Sequence, residues 1–244
     1  MKALIAEPRS VIPALDMRDL YKLMDIVRGV HGVPGIGGYK IGSIPVGAHG
    51  MSTVVSAIRK ISKLPIIYDP QKGGTDIPDL GAGFADMVYY GGANAVILFP
   101  FGGAVTERKW IEACQDVGLT VLVEAEMTQE GFFEEDGGFI ARSAPGKIFE
   151  IAASMGVTDF VVPGNKISKV AHYRKLLESL VADKGNLTLY APGFISQGGD
   201  ITETGQVAGE NWHAIVGSAL YERQGLDGIR ETAVRLTQQI LVPA

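Results

Sequence analysis

The stretch Glu107–Met127, ERKWIEACQDVGLTVLVEAEM, sets two periods side by side across one glycine. Its first half, ERKWIEACQDVG, spaces apolar residues as a helix does. Its second half, TVLVEAEM, is a continuous β-rich run that needs cover on both faces. Gly118 between them suits the left-handed cap that returns a helix to a sheet, as Gly156 does further on.

The same unit recurs along the chain. Strand-like runs are VIPALD (11–16), YKIGS (39–43), PIIYD (65–69), AVILFPF (95–101), TVLVEAEM (120–127), DFVVPGN (159–165), LTLYAPGF (187–194) and HAIVGSALY (213–221). Between them lie helical patterns such as LYKLMDIVRGV (20–30), MSTVVSAIRKI (51–61), GKIFEIAASMGV (146–157) and VAHYRKLLESLVA (170–182). Eight strand–helix units in about 250 residues is the arithmetic of a closed barrel. The expected fold is therefore α/β, a single (β/α)8 TIM barrel whose one catalytic domain takes in residues 1–244. A doubly wound open sheet should carry a glycine-rich dinucleotide fingerprint after its first strand, and PALDMRDL has none.

Composition narrows the function classes. With 46% hydrophobic and 20% charged residues the chain can bury a core without disulfides, and its one cysteine, Cys114, reads as a small core residue on a helix. The segment FFEEDGGFIARSAPG (132–146) mixes apolar and charged residues and reads as an ordered loop rather than a linker. A formal charge of −5 with no basic stripe argues against nucleic-acid binding. The opening MKALIAEPRS is interrupted by Glu7, Pro8 and Arg9 before a signal peptide's apolar core is complete, and no apolar run reaches membrane-spanning length. A cytoplasmic protein with no membrane partner is expected.

In such a barrel the chemistry sits at the C-terminal strand ends, which singles out Asp16, Lys40, Asp69, Lys72, Glu126, Thr128, Asn165, Gln197 and Ser218. The densest cluster is YDPQKGGTDIP (68–78). Asp69 ends the third strand, Lys72 follows, and Asp76 lies beyond Gly73-Gly74, while Lys40 comes from the neighbouring second strand. Charges after a strand are usually solvated, but Asp16 and Lys40 reach the same rim independently. A Lys-Asp-Lys-Asp array keeps a lysine protonated beside carboxylates, which is equipment for protonating a carbanion. At the late strands, APGFISQGGD (191–200) and VGSALY (216–221) carry glycine-bearing loops of the kind that bind phosphate through backbone N–H groups, although Gly198-Gly199 would serve equally as a plain turn. Glu124 and Glu126 alternate onto one strand face, yet His31, His49, His172 and His213 show no ligand spacing, and no metal site is indicated.

Together these residues resemble the orotidine 5'-monophosphate decarboxylase family, in order along nearly the whole chain. ALD (14–16) resembles the first-strand motif and YKIG (39–42) the second; DPQKGGTDIP resembles the D-x-K-x-x-D-I-P signature. EMTQEG (126–131) resembles E-M-S-x-x-G, PGFISQGGD (192–200) the phosphate-gripping loop, and VGSALY the V-G-R-S-I-Y segment. The resemblance implies cofactor-free decarboxylation of orotidine 5'-monophosphate to UMP in pyrimidine synthesis. It implies Lys72 as proton donor, Asp69 crowding the departing carboxylate, Lys40 ordering the array, and Asp76 reaching into a partner's site in a homodimer. Substrate contacts are implied for Asp16 (ribose), Ile77 beside the signature aspartate, Thr128 (pyrimidine), and Pro192, Gln197, Gly198, Gly199, Gly217 and Ser218 (phosphate).

Two departures stand out. The signature is one residue longer on each side of its lysine, D-x-x-K-x-x-x-D, which on a regular strand would put Asp69 and Lys72 on opposite faces; Pro70 suggests that the strand ends or bulges there. Ser218 stands where the family pattern has a phosphate-binding arginine, so Arg142 or Arg223 is expected to supply the cation. The alternatives are a magnesium-dependent sugar-phosphate decarboxylase or hexulose-phosphate aldolase of the same superfamily, whose signature lacks the Ile-Pro after Asp76, and a catalytically silent nucleotide-binding barrel.

Overall fold

The computed structural model describes residues 3–72, 75–195 and 197–241, so Gly73 and Gly74 of the signature and Ser196 of the phosphate loop lie outside the described residues. Eight parallel strands close on themselves in chain order, as the alternating periods require. They are β1 (Arg9–Leu15), β2 (Tyr39–Gly42), β3 (Ile66–Asp69), β4 (Ala95–Leu98), β5 (Thr120–Glu124), β6 (Asp159–Val161), β7 (Thr188–Pro192) and β8 (Trp212–Val216). The β1–β8 pairing runs from Arg9 opposite Trp212 to Pro13 opposite Val216 and seals the barrel.

Around it run α1 (Leu20–Val30), α2 (Ser43–His49), α3 (Met51–Arg59), α4 (Gly81–Tyr90), α5 (Ala104–Asp116), α6 (Ala144–Ser154), α7 (Ile167–Leu180), α8 (Ile201–Ala208), α9 (Ser218–Tyr221) and α10 (Gly225–Leu241). Local chemistry sets several of these boundaries. The Asp19 carboxylate accepts the N–H groups of Tyr21 and Lys22 to start α1, and Asp200 accepts that of Glu203 to start α8. The strand expected over 213–221 ends at Val216, and its last residues form the short helix α9 instead.

Two apolar layers hold the assembly. Residues facing out from the strands pack against the helices in one extended core that includes Trp110, Phe149, Phe160 and Trp212. Inside the barrel, Ile12, Ala14, Ile67, Ala95, Ile97, Leu122, Val161, Tyr190 and Ile215 make a second cluster, closed from below by Leu4 and Ile5. Ser10 bonds His213 Nδ1 at 2.8 Å and Tyr190 bonds Asp159 at 2.8 Å near that lower end. A cavity of about 550 Å³ opens there, while the charged residues converge at the opposite, C-terminal mouth. Among the described residues no helix is long and apolar enough to cross a membrane.

Candidate active site

Period-two alternation delivers the first part of the site. Lys40 lies between Ala14 of β1 and Ile67 of β3, so its side chain points into the barrel with theirs and rises toward the mouth. Its ammonium donates to Asp16 Oδ2 at 2.7 Å and Asp69 Oδ2 at 2.8 Å. Only 7% of the Lys40 side chain is exposed. Burial alone would lower its pKa, but the charges of Asp69 and Asp16 and the hydrogen bonds to both outweigh burial, so the ammonium is held more firmly than usual. For Asp69, burial pushes upward, while Lys40, Lys72 and the Gln71 N–H pull further down, leaving it an ionised carboxylate.

The parity problem in the signature is solved by the backbone. Gln71 and Lys72 both adopt left-handed conformations, with φ of 53° and 69°. Non-glycine residues rarely sit there, and two in succession turn the chain so that Lys72 comes back over the mouth. The turn is pinned at both ends: Asp69 Oδ1 accepts the Gln71 N–H at 2.8 Å, and Gln71 Oε1 accepts from the backbone and hydroxyl of Ser43. Gly42 is needed beneath it, because an added Cβ would lie 2.2 Å from Asp16 Oδ1. Lys72 Nζ donates to Glu124 Oε2 at 2.8 Å and lies 5.4 Å from the centre of the Phe99 ring. Glu124 closes β5 and faces inward with Leu122; burial raises its pKa against the pull of Lys72.

Lys40 thus joins Asp16 and Asp69, and the Lys72 charge acts on Asp69, while Asp76 of the same chain stays apart from them among the described residues. Asp76 is exposed, accepts the N–H of Ile77 at 2.7 Å, and forms no ion pair among the described residues. Ile77 is 59% exposed, and its carbonyl is anchored by Trp110 Nε1.

Asn165 Nδ2 donates to the carbonyls of Thr128 at 3.2 Å and Gln197 at 3.4 Å, tying β5, β6 and the loop after β7 together. Gly193, at φ 107°, lies against Thr128 and Asn165, where a side chain would intrude. Two buried acceptors at this mouth, Asp16 Oδ1 and Asn165 Oδ1, have no hydrogen-bond partner among the described residues, a condition that a bound donor would relieve.

The phosphate loop departs from the expected arrangement. The N–H groups of Gly198 and Gly199 are given to the carbonyls of Ile195 and Gly193, so they hold the loop's own turn rather than pointing at a ligand. Pro192 ends β7 and leads directly into that turn, with Gln197 exposed at its tip. Across from it, Gly217 and Ser218 begin α9, and the Tyr221 hydroxyl lies so close over Gly217 that a Cβ there would collide with it. Arg142 is engaged elsewhere, with Glu135, Asp136 and the Phe133 ring. Arg223 is exposed beside Tyr221, Lys22 and Asp25, and its guanidinium has no ion-pair partner among the described residues.

Glu124 and Glu126 do not share a face, contrary to their alternation in sequence. The strand ends at Glu124, and the chain then turns Glu126 outward to Lys166 and Lys169, each at 3.2 Å, and to the Tyr173 hydroxyl. Among the described residues no cluster of three His, Cys, Asp or Glu is placed to hold a metal. The signal for Glu124 was its position two residues after Leu122 on the inward face; nothing in the sequence pointed to Phe99 or Gln71.

No family model matches the chain. It is 30% identical to orotidine 5'-phosphate decarboxylase of Methanosarcina barkeri over 195 residues, 78% of each chain. It is 28% identical to the Methanosarcina mazei protein of the same name, over 78% of this chain and 79% of that one. Among solved structures, orotidine 5'-monophosphate decarboxylase of Methanocaldococcus jannaschii, complexed with the inhibitor BMP, superposes with a TM-score of 0.81 at 22% identity, over 96% of this chain and 99% of that one. The Pyrococcus horikoshii enzyme follows at 0.76 and 23%, over 94% and 98%. At those identities the structural likeness speaks for the barrel fold alone.

Proposed function

The chain belongs to the orotidine 5'-phosphate decarboxylase family, and on that premise we propose that it converts orotidine 5'-monophosphate to UMP and carbon dioxide without a cofactor. The observation that carries the reading is the return of Lys72, through two left-handed residues, to the rim occupied by Asp16, Lys40 and Asp69. The reaction needs no redox partner. The C6–carboxylate bond breaks, its electron pair stays on C6 as carbon dioxide leaves, and an N–H bond of the Lys72 ammonium breaks as the new C6–H bond forms.

Each remaining group has a task in that scheme. Asp69, ionised and buried, repels the substrate carboxylate and favours its loss. Lys40 keeps Asp69 and Asp16 fixed by charge-assisted bonds. The unpaired Asp16 Oδ1 accepts a ribose hydroxyl, and Thr128, with Asn165 behind it, reads the pyrimidine. The phosphate rests between Pro192, Gln197, Gly198 and Gly199 on one side and Gly217 and Ser218 on the other. Arg223 supplies the cation, because Arg142 is already engaged with two carboxylates. If Gly198 and Gly199 contribute N–H groups, their turn must open on binding.

The same reading makes the enzyme a cytoplasmic homodimer. Asp76 is exposed, as are the apolar side chains of Ile77, Leu80, Met87, Tyr90 and Val105, which a second copy would cover while Asp76 reached the partner's mouth. The test is release of carbon dioxide from the nucleotide in the presence of a chelator. Turnover there supports the proposal; metal-dependent turnover of sugar phosphates instead, or nucleotide binding without turnover, would replace it.

A further inference from the structure

We propose that Glu124 is a positioning residue that holds the Lys72 ammonium over the reacting carbon from within the same subunit. The inference rests on the proposed reaction for its kinetic consequences and on geometry for its premise.

Among the described residues, the signature loop of the same subunit offers Lys72 no hydrogen-bonded carboxylate. Asp69 spends one oxygen on Lys40 and the other on the Gln71 N–H, and Asp76 accepts only its neighbour's N–H among the described residues. Lys72 arrives from a turn of two left-handed residues, and its side chain remains 33% exposed. A four-carbon stem on such a turn has many rotamers, and freezing one requires a fixed partner. Glu124 is that partner. It ends a strand paired in register with Val161, its side chain is 4% exposed, and its Oε2 lies 2.8 Å from Lys72 Nζ. The Phe99 ring, one residue past the end of β4, gives the ammonium a second, weaker seat.

The pair is also matched in charge. The groups facing Glu124 are Lys72, Asp69 and Lys40; burial and Asp69 oppose its ionisation, and the two lysines favour it. Buried Glu124 therefore depends on Lys72 to carry its charge, whereas Lys72, a third exposed, depends on Glu124 for its position.

The test is a cycle of Glu124→Gln, Lys72→Ala and the double variant, measured for turnover of orotidine 5'-monophosphate and for UMP binding, with a crystal structure of Glu124→Gln. Glutamine keeps the shape and removes the charge. A misplacement near 1 Å costs roughly 100-fold in rate, so kcat should fall about that far while the UMP Kd stays within about threefold. In the Lys72→Ala background the same change should alter kcat by less than about threefold, because the group it acts through is gone. The structure should show Lys72 displaced. Near-wild-type kcat in Glu124→Gln, an equal loss in both backgrounds, or an unmoved Lys72 would each overturn the proposal. If wild type fails to turn over the nucleotide, the reaction assigned above fails; the position of Lys72 in the crystal still decides the role of Glu124.

Discussion

Replacing Lys40 with methionine keeps most of the volume of its stem and removes one charge that serves two carboxylates. Lys40 and Asp69 are nearly buried, with side-chain exposures of 7% and 10%. Removing one partner of a buried ion pair costs roughly 3–5 kcal/mol, because the other is left charged and unpaired. For a chain of this size each kcal/mol moves Tm by about 2–4 °C, so Lys40→Met should melt about 6–20 °C below wild type near neutral pH. The pH dependence fixes the cause. In wild type the Asp69 pKa is depressed, so its contribution is present above the unfolded-state pKa and lost as pH falls through the folded one. Without Lys40, burial prevails over the remaining pull of Lys72 and the Gln71 N–H, the Asp69 pKa moves up, and the variant recovers by protonation as the pH is lowered. The Tm gap between wild type and variant should thus narrow from about pH 7.5 to about pH 4.5, and Lys40→Met with Asp69→Asn should melt above Lys40→Met alone. Thermal melts followed by circular dichroism read all of this. A gap below about 2 °C, or one that does not change with pH, would show that Lys40 is not what keeps Asp69 charged.

Mixing Lys72→Ala with Asp76→Ala subunits should restore activity on exchange, since one site in each hybrid then holds both wild-type residues; no recovery despite proven exchange would put Asp76 in its own subunit's site. Arg223→Ala should lower kcat/KM for the 5'-phosphate about 10–100-fold, the range of a lost charge-assisted bond, and leave the unphosphorylated nucleoside untouched; an equal effect on both substrates would remove Arg223 from the phosphate site. Glu107, 1% exposed with Oε1 unpaired among the described residues, has its pKa pushed by burial from the ordinary 4.5 to about 8. A raised pKa contributes stability below the unfolded value and loses it as pH rises through the folded one. Glu107→Gln should therefore gain on wild type by about 1.4 kcal/mol per pH unit across that window in denaturant titrations, and parallel curves would contradict it.

The sequence made some of this site legible and concealed the rest for physical reasons. Lys40 and Asp69 were readable because strand ends on neighbouring strands must meet at one rim, and period two fixes which side chains face in. The strands were readable because burial on both faces leaves uninterrupted apolar runs such as Ala95–Leu98. Helix α2, SIPVGAH, and helix α4, opening GAGF, carry proline or glycine where helix formers are expected, so tertiary packing rather than propensity makes them helical. SALY after Gly217 is too short to display a period of its own and merges in sequence with the strand before it. The partnership of Lys72 with Glu124 depends on the φ angles of Gln71 and Lys72, which side-chain identity does not announce. The use of the Gly198 and Gly199 N–H groups within their own turn was equally hidden, since glycine permits both a ligand cradle and a self-bonded turn.

Proton transfer from Lys72 to the carbanion is tested by comparing turnover and product binding in Lys72→Ala. A proton donor acts in the transition state, so its removal should abolish most of kcat while UMP binds nearly as it does to wild type. Near-normal decarboxylation by Lys72→Ala would contradict the account and leave Lys40 as the proton source.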